Sequence, residues 1–351
     1  MTAVMTPGTV AQSALRRRTR RRRLGLLAAF GGLLVVVAAS LAIGTENLAL
    51  GTVVDALFRP STADQGAVDI VRDVRVPRTI IGLVVGAAIG LAGALVQAVT
   101  RNPLADPGLL GVDAGAAAAV VTVVSLLGIT EPVQFVAFAL LGAGAAATVV
   151  FVLGGQSRVT ASPVRLVLAG AAITAVLLSY IQGVVLLDDT SFQAYRFWAV
   201  GSLVGRPLDI LLTTGPVMLV GAVIAVMLGR SLNAVSLGDD AGRALGAHPG
   251  RTRVLSVIAV TLLCGAATAA IGPIAFVGLI VPHLSRAICG PDNRWVLPFS
   301  MVLAAVLLLA SDVLGRVLAV GDAEIEVGIV TAFLGAPIFI AFARRRKVAK
   351  L

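Results

Sequence analysis

Long apolar stretches recur along this chain and are separated by short polar or charged segments. About ten are close to the twenty residues that an α-helix needs to cross the hydrocarbon core of a bilayer. They run over 24–43, 78–100, 109–128, 133–153, 164–187, 208–228, 254–271, 273–288, 296–314 and 327–342. Around Gly272, and from Ile288 to Trp295, the pattern fits either two tilted spans or one broken helix. It predicts an all-α polytopic membrane protein with about ten transmembrane helices.

Composition supports a membrane protein, and the location of the basic residues favours a role in membrane topology over binding of RNA or anionic lipid. The chain is 58% hydrophobic and 13% charged, which is too little charge to cover a soluble surface. Twelve of its 28 basic residues lie in the two tails, before the first apolar run and after the last. The part of the chain between the tails has the remaining 16 basic residues and 18 acidic residues, so its net charge is close to zero. A basic run beside a long apolar segment typically holds that end in the cytoplasm.

An even number of spans puts both basic tails on the same side, so we expect both termini in the cytoplasm of a multi-pass cell-membrane protein. The expected organisation is a basic tail at 1–23, a membrane domain at 24–343 and a basic tail at 344–351. The first apolar run is longer than the core of a usual signal peptide, which favours a retained span. The largest cytoplasmic loop is then 230–253, and the loops 45–74 and 188–207 lie outside.

The chain lacks the residues that would let it power transport or catalyse a reaction by itself. A phosphate-binding loop needs a lysine, and the first lysine is Lys347, so any ATPase must be another chain. The chain has two histidines, His248 and His283, and two cysteines, Cys264 and Cys289, and their spacing matches no metal or catalytic motif. A stand-alone secondary transporter or exporter is the alternative, but its usual intramembrane acid relay is missing.

Connected motifs in the second span and near the carboxyl terminus resemble one transporter family. They are 75–78 (RVPR), 93–97 (GALVQ), 102–111 (NPLADPGLLG), 115–116 (GA), 272–284 (GPIAFVGLIVPHL) with Arg286, 326–329 (EVGI) and 335–339 (GAPIF). Together they resemble the FecCD-type permeases of ABC importers for iron-siderophores, haem and cobalamin. Val327 departs from the proline found there in many relatives.

The resemblance implies a type II importer permease without a cofactor of its own. It would work with a second permease chain, identical or related, with two ATPase subunits that bind ATP and Mg²⁺, and with an extracytoplasmic binding protein. Arginines at the positions of Arg75, Arg78 and Arg316 would dock glutamates of that binding protein. Two alternatives compete with docking: interfacial snorkelling of the side chains, and a local pair between Arg316 and Asp312, four residues earlier.

The resemblance also assigns roles at the cytoplasmic face. The loop 230–253 would contact the ATPase through Leu237, Gly238, Arg243, Leu245 and Gly246, with a short helix from Asp239 to Leu245. The alternative is a helix that merely lies on the membrane.

A gate region would comprise two further groups of motif residues. These residues are Asn102, Pro103, Asp106, Pro107, Pro282 and His283. For His283, the competing interpretation is a hydrogen-bonding residue near a helix end.

Overall fold

The computed structural model describes residues 7–44, 46–155, 163–319 and 323–344, and its architecture is all-helical. In chain order the helices are α1 (Pro7–Ala42), α2 (Leu50–Phe58), α3 (Gln65–Asp69), α4 (Val76–Thr100), α5 (Val112–Leu127), α6 (Pro132–Gly155), α7 (Pro163–Leu187), α8 (Asp189–Ala199), α9 (Ile210–Met227), α10 (Gly229–Ser236), α11 (Asp239–Ala244), α12 (Pro249–Ile271), α13 (Val277–Cys289), α14 (Asn293–Val317) and α15 (Val327–Arg344). A π-helical turn, Ile70–Arg75, precedes α4, and a 3₁₀ turn, Pro107–Leu110, precedes α5.

Each of the ten apolar runs coincides with one helix of the fold. Among the described residues, seven helices are long and apolar enough to cross a membrane, and α5, α13 and α15 are shorter apolar helices. In the two regions where the sequence fits either two spans or one broken helix, the structure has separate helices, with breaks at Gly272 (φ +83°) and Gly290 (φ +82°). With 13 residues, α13 is about 20 Å long, less than the hydrocarbon core of about 30 Å.

Helix α4 lies at the centre of the fold because its small residues let other backbones come close. A Cβ on Gly90 would lie 2.2 Å from the carbonyl oxygen of Ser300 in α14. One on Gly93 would lie 2.0 Å from the carbonyl oxygen of Gly278 in α13. Small residues at such contacts replace the hydrophobic driving force that is missing in lipid, as the glycine- and alanine-rich pattern of this span predicts.

The predicted outer loops contain structure that hydrophobicity did not reveal. The segment 45–74 includes α2, α3 and most of the π-helical turn, and 188–207 includes α8. Arg72 helps order the first of these, since its Nε and NH2 donate to the carbonyl oxygens of Ala56 and Leu57 at 2.9 and 2.5 Å. These helices are too short to show an apolar run of span length. Local caps begin two of them, Asp64 before α3 and Asp188 before α8.

The described part of the amino-terminal basic segment is helical, because α1 begins at Pro7. Its Arg22 donates from Nε to the carbonyl oxygen of Cys289 at 2.7 Å, forms an ion pair with Asp292 at 3.4 Å, and lies over the ring of Trp295. The basic end of α1 therefore contacts the turn between α13 and α14. The carboxyl-terminal tail beyond Arg344 lies outside the described residues, and the domain boundaries proposed from the sequence stay predictions.

Candidate functional site

Three arginines meet at the predicted outer end of the fold, and we call Arg75, Arg78 and Arg316 the outer arginine cluster. Arg78 donates from Nε and NH2 to both carboxylate oxygens of Asp312 at 2.7–3.1 Å. Its NH1 donates to Oε2 of Glu324 at 2.6 Å. Arg316 donates from NH2 to the second oxygen of Asp312. One fully buried carboxylate therefore holds two guanidinium groups from α4 and α14.

Further donors of this cluster bind the carboxyl-terminal end of α1 and the residue that follows it. Arg75 NH1 donates to the carbonyl oxygens of Leu41 and Ala42, both at 2.8 Å. Arg316 NH1 donates to those of Ser40 and Ile43 at 2.8 and 3.1 Å. Cationic donors at the carboxyl terminus of a helix hydrogen-bond its unpaired carbonyl groups and interact favourably with the helix dipole.

All three arginines of the cluster are at most 5% exposed, so they are not snorkelling side chains in this structure. The local pair between Asp312 and Arg316 that competes with docking is present. The docking role itself stays a prediction.

At the opposite end, residues 237–246 form a short protruding unit that we call the coupling segment. Gly238 (φ +111°) and Gly246 (φ +80°) enclose α11, which confirms the short helix predicted there. Leu237 and Leu245, which flank α11, are 67% and 65% exposed. Arg243 is also exposed and pairs with Asp240 at 3.0 Å. The segment thus exposes two leucines and a cation, and the ATPase contact expected for it stays a prediction.

Ion pairs fix the coupling segment to the ends of two spans. Asp239 at the start of α11 accepts from Arg101, which follows α4, at 2.6 Å, and from Arg253 in α12 at 2.8 Å. Burial raises the pKa of Asp239, but the bonds and charges of the two arginines outweigh it and lower the pKa overall. Arg101 adopts the left-handed conformation (φ +51°) that ends α4. The segment is therefore tied by ion pairs to the ends of α4 and α12.

The two halves of the sequence motif pattern come together between α4 and α13. Gln97 donates from Nε2 to the carbonyl oxygen of Leu279 at 2.9 Å and accepts from Arg286 NH1 at 2.6 Å. Pro107 packs against Gly278, where an added Cβ would lie 3.0 Å from Pro107 Cδ. Motif residues about 180 positions apart thus form one interface between helices.

The remaining gate candidates occupy different environments around this interface. Pro282 is buried inside α13, and His283 next to it is partly exposed. His283 lies in the middle of α13, whereas one interpretation of the sequence placed it near a helix end. Asn102 Oδ1 accepts from the backbone N–H of Leu104 at 3.0 Å, and Pro103 follows in the same turn. The gate role of these residues stays a prediction.

Asp106 belongs to a polar group on the inner side of the same turn. Its Oδ1 accepts from the Gly108 N–H at 2.9 Å, and it shares a small cavity with Asp113, Cys264 and Thr268. Thr268 donates to Asp113 at 2.6 Å. Desolvation, together with the charge of Asp113, raises the pKa of Asp106 to about 6 against the lowering effect of the Gly108 bond. Among the described residues, no group of three His, Cys, Asp or Glu side chains is arranged to hold a metal ion.

Comparison with known proteins identifies the family of this helical assembly. Residues 32–345 match the FecCD transport family. The chain belongs to the FecCD transport family. FecCD membership makes it a membrane-spanning transport permease, as the motif resemblance implies.

Relatives in the FecCD family align over most of the chain. It is 45% identical over 315 residues to the ferric enterobactin transport system permease protein FepD of Escherichia coli, which covers 90% of this chain and 93% of FepD. It is 35% identical over 325 residues to the hemin transport system permease protein HmuU of Yersinia pestis, with 90% and 95% covered. A solved inward-facing conformation of a metal-chelate type ABC transporter matches with a TM-score of 0.80 at 28% identity, covering 92% of this chain and 99% of the other.

Sequence reasoning missed the carboxylate that completes the outer arginine cluster of this FecCD permease. Glu324 lies 246 residues from Arg78 along the chain, so no local spacing connects the two. The Ser40 hydroxyl, 2.8 Å from that of Thr79, is similarly hidden inside an apolar run. In both cases the sequence shows only a polar residue near the end of a span. Such a residue does not reveal which distant side chain it contacts.

Proposed function

We propose that this chain is the permease subunit of an ABC importer that takes an iron(III)-siderophore across the cytoplasmic membrane, with haem or cobalamin as the other candidate cargoes. The observation that carries the proposal is the match of the whole ten-helix arrangement to a metal-chelate type transporter, at a TM-score of 0.80. The names of FepD and HmuU support ferric chelates and haem as the cargo class.

The energy would come from two ATPase subunits that carry ATP and Mg²⁺, and a second permease chain would complete the pathway. The coupling segment supports this arrangement, because Leu237 and Leu245 leave apolar surface exposed next to a cation. An exposed apolar patch with a polar rim is typical of a protein contact. The ion pairs of Asp239 would then pass movement of the ATPases to α4 and α12.

Both termini would lie in the cytoplasm. The even number of spans and the arginine-rich segment at 16–23 support this orientation. The contact between Arg22 and the α13–α14 turn is consistent with it, because that turn follows the eighth apolar helix. The same orientation puts the outer arginine cluster on the side of the binding protein.

The gate would be the interface of α13 with the turn at 102–107. Helix α13 is short, lies between two glycines with positive φ, and contacts the turn through Gly278 and Pro107. Such a helix can tilt as a unit between two packed positions, which alternating access requires.

Reconstituted vesicles test the transport function. The chain, its candidate ATPase and its binding protein are incorporated together, and entry of ⁵⁵Fe-labelled siderophore is followed with and without ATP. We expect uptake only when ATP and all partners are present. Uptake that persists without the ATPase or the binding protein would instead identify a stand-alone secondary transporter, and outward movement would identify an exporter.

For the docking face, we propose that acidic groups of the binding protein compete with Glu324 for Arg78. Glu324 is the more exposed of the two carboxylate partners of Arg78, with 19% of its side chain accessible against none for Asp312. Glu324→Gln removes the charged partner of Arg78 NH1 and leaves the bonds to Asp312 in place, so it should tighten docking. The double variant Arg75→Glu with Arg78→Glu should abolish docking. Charge complementarity of this kind acts mainly on the association rate.

Binding kinetics on permease in nanodiscs measure this effect. Arg59→Glu serves as the matched charge reversal, because Arg59 is exposed on the same outer segment. Size-exclusion chromatography confirms that each variant is assembled. The docking assignment fails if Glu324→Gln weakens binding or if Arg59→Glu has the same effect as the double reversal.

A further inference from the structure

A groove on the membrane-facing side of the fold runs between α6 and α12. Its walls include Gly144, Thr148 and Phe151 of α6 and Val254, Ile258 and Leu262 of α12, and its volume is about 280 Å³. Two threonines, Thr148 and Thr261, are among its lining residues, and the other lining side chains are apolar. The Thr148 hydroxyl donates to the Gly144 carbonyl oxygen at 2.7 Å, so this polar group is satisfied within α6. Val254 and Ile258 are 40% and 43% exposed in it.

The groove extends along only part of the membrane thickness. From Val254 to Leu262 the helix rises about 12 Å at 1.5 Å per residue, less than half of a hydrocarbon core of about 30 Å. One acyl chain of a lipid occupies a single leaflet, and the length of the groove matches it. The dimensions are therefore compatible with a lipid chain, and the preference for a lipid over a helix of another chain rests on the charge beside the groove.

A cationic site adjoins one end of the groove. Arg251 lies three and seven residues before Val254 and Ile258, on the same face of α12. Its side chain is exposed, and among the described residues no carboxylate pairs with it. Arg251 also lines a cleft of about 500 Å³ together with His248, Pro249 and Gly250. The cleft borders Arg243 and Gly246, so it lies at the edge of the coupling segment.

The start of α12 adds a second feature that suits an anion. The N-cap His248 makes no side-chain hydrogen bond to the first turn, which leaves the backbone N–H groups at this helix end without a side-chain acceptor. Free N–H groups and the helix dipole favour a negative group there. The cationic start of α12 and the apolar groove therefore lie side by side, about one helical turn apart along the helix.

From this juxtaposition we propose that α6 and α12 bind one anionic phospholipid, with the phosphate at Arg251 and the start of α12 and an acyl chain in the groove. The location in the cytoplasmic leaflet rests on the orientation given under the proposed function. The binding itself does not, because it depends only on Arg251 and the groove. A basic residue near an anionic lipid surface contributes about a fivefold change in affinity.

Native mass spectrometry of the purified full chain, titrated with dioleoylphosphatidylglycerol or dioleoylphosphatidylcholine, tests the proposal. We expect one phosphatidylglycerol to bind about fivefold more tightly than phosphatidylcholine. Arg251→Gln should remove this preference, and Arg230→Gln is its matched control because Arg230 is exposed in the same loop region but lines neither cavity.

Filling the groove tests the acyl-chain half of the site separately. A side chain on Gly144 would meet open space, with no atom within 4 Å of an added Cβ, so Gly144→Leu fills the groove without a clash. It should lower the affinity for both lipids. Gly31→Leu is the control, since Gly31 of α1 also faces open space.

Three results would overturn the lipid site: equal affinity for the two lipids, equal losses in Arg251→Gln and Arg230→Gln, or unchanged binding in Gly144→Leu. A dimer that Gly144→Leu disrupts would assign the groove to a second copy of the chain. The measurement needs neither ATP nor cargo, so failure of the transport proposal would leave its result unaffected.

Discussion

Replacing Asp312, the carboxylate shared by two residues of the outer arginine cluster, with asparagine should destabilise the protein strongly. The carboxylate is fully buried and accepts from Arg78 and Arg316, whose side chains are 7% and 2% exposed. Asparagine preserves the shape but removes the charge, which leaves two buried cations with only Glu324 in reach of one of them. Breaking a buried ion pair by removing one partner costs about 3–5 kcal/mol. We expect Asp312→Asn to fall in that range.

The comparison with two other carboxylates makes this estimate specific. Glu324→Gln leaves Arg78 bound to Asp312, so it should cost at most the loss of one charged hydrogen bond, about 1.5–3 kcal/mol. Asp240→Asn removes an exposed partner of Arg243 and should change nothing measurable, because exposed pairs are screened by solvent.

Unfolding titrations with SDS in mixed micelles, followed by circular dichroism, give the free energies for these three variants. The reasoning is refuted if Asp312→Asn lowers the free energy of unfolding by less than about 1 kcal/mol. It is also refuted if Asp312→Asn lowers it by no more than Glu324→Gln does. As a further check, Asp312→Asn combined with Arg316→Gln should cost less than the sum of the two single changes, since the residues are in direct contact.

Two further predictions concern the interface of α4. Gly93→Ala should push α13 away from α4, because the new Cβ would lie 2.0 Å from the Gly278 carbonyl oxygen; the unfolding midpoint should fall, while Gly31→Ala, in open space, should leave it unchanged. Asp106 has a pKa raised to about 6, so the folded state binds its proton more tightly than the unfolded chain, and stability should fall as pH rises from about 4 to 6. Asp106→Asn should flatten that slope in unfolding midpoints measured from pH 4.5 to 7.5, and a slope equal to wild type would assign the titration to Asp113 or another group.

The candidate site could be predicted from the sequence only where a motif is local. The short helix after Gly238 follows from acidic residues at its start and glycine at its end, and the structure confirms it. The ion pairs that hold this helix involve Arg101, 138 residues away, and no spacing rule reaches that far. Likewise, the sequence suggests the pair of Asp312 with Arg316, because the two residues are four positions apart in a helix. It does not suggest that Asp312 also binds Arg78.

The ten apolar helices were determined by the sequence alone, because a span in lipid must satisfy its backbone internally and so appears as a continuous apolar run. The sequence also shows that residues 1–346 contain no phosphate-binding loop of the kind that needs a lysine, because the first lysine is Lys347. Only the tertiary structure decided that the outer arginines are buried, that Gln97 joins Arg286, and that α2, α3 and α8 order the outer loops. Those features depend on which helices become neighbours and in which register. That choice is made by packing between distant segments, and a hydrophobic pattern read along the chain does not contain it.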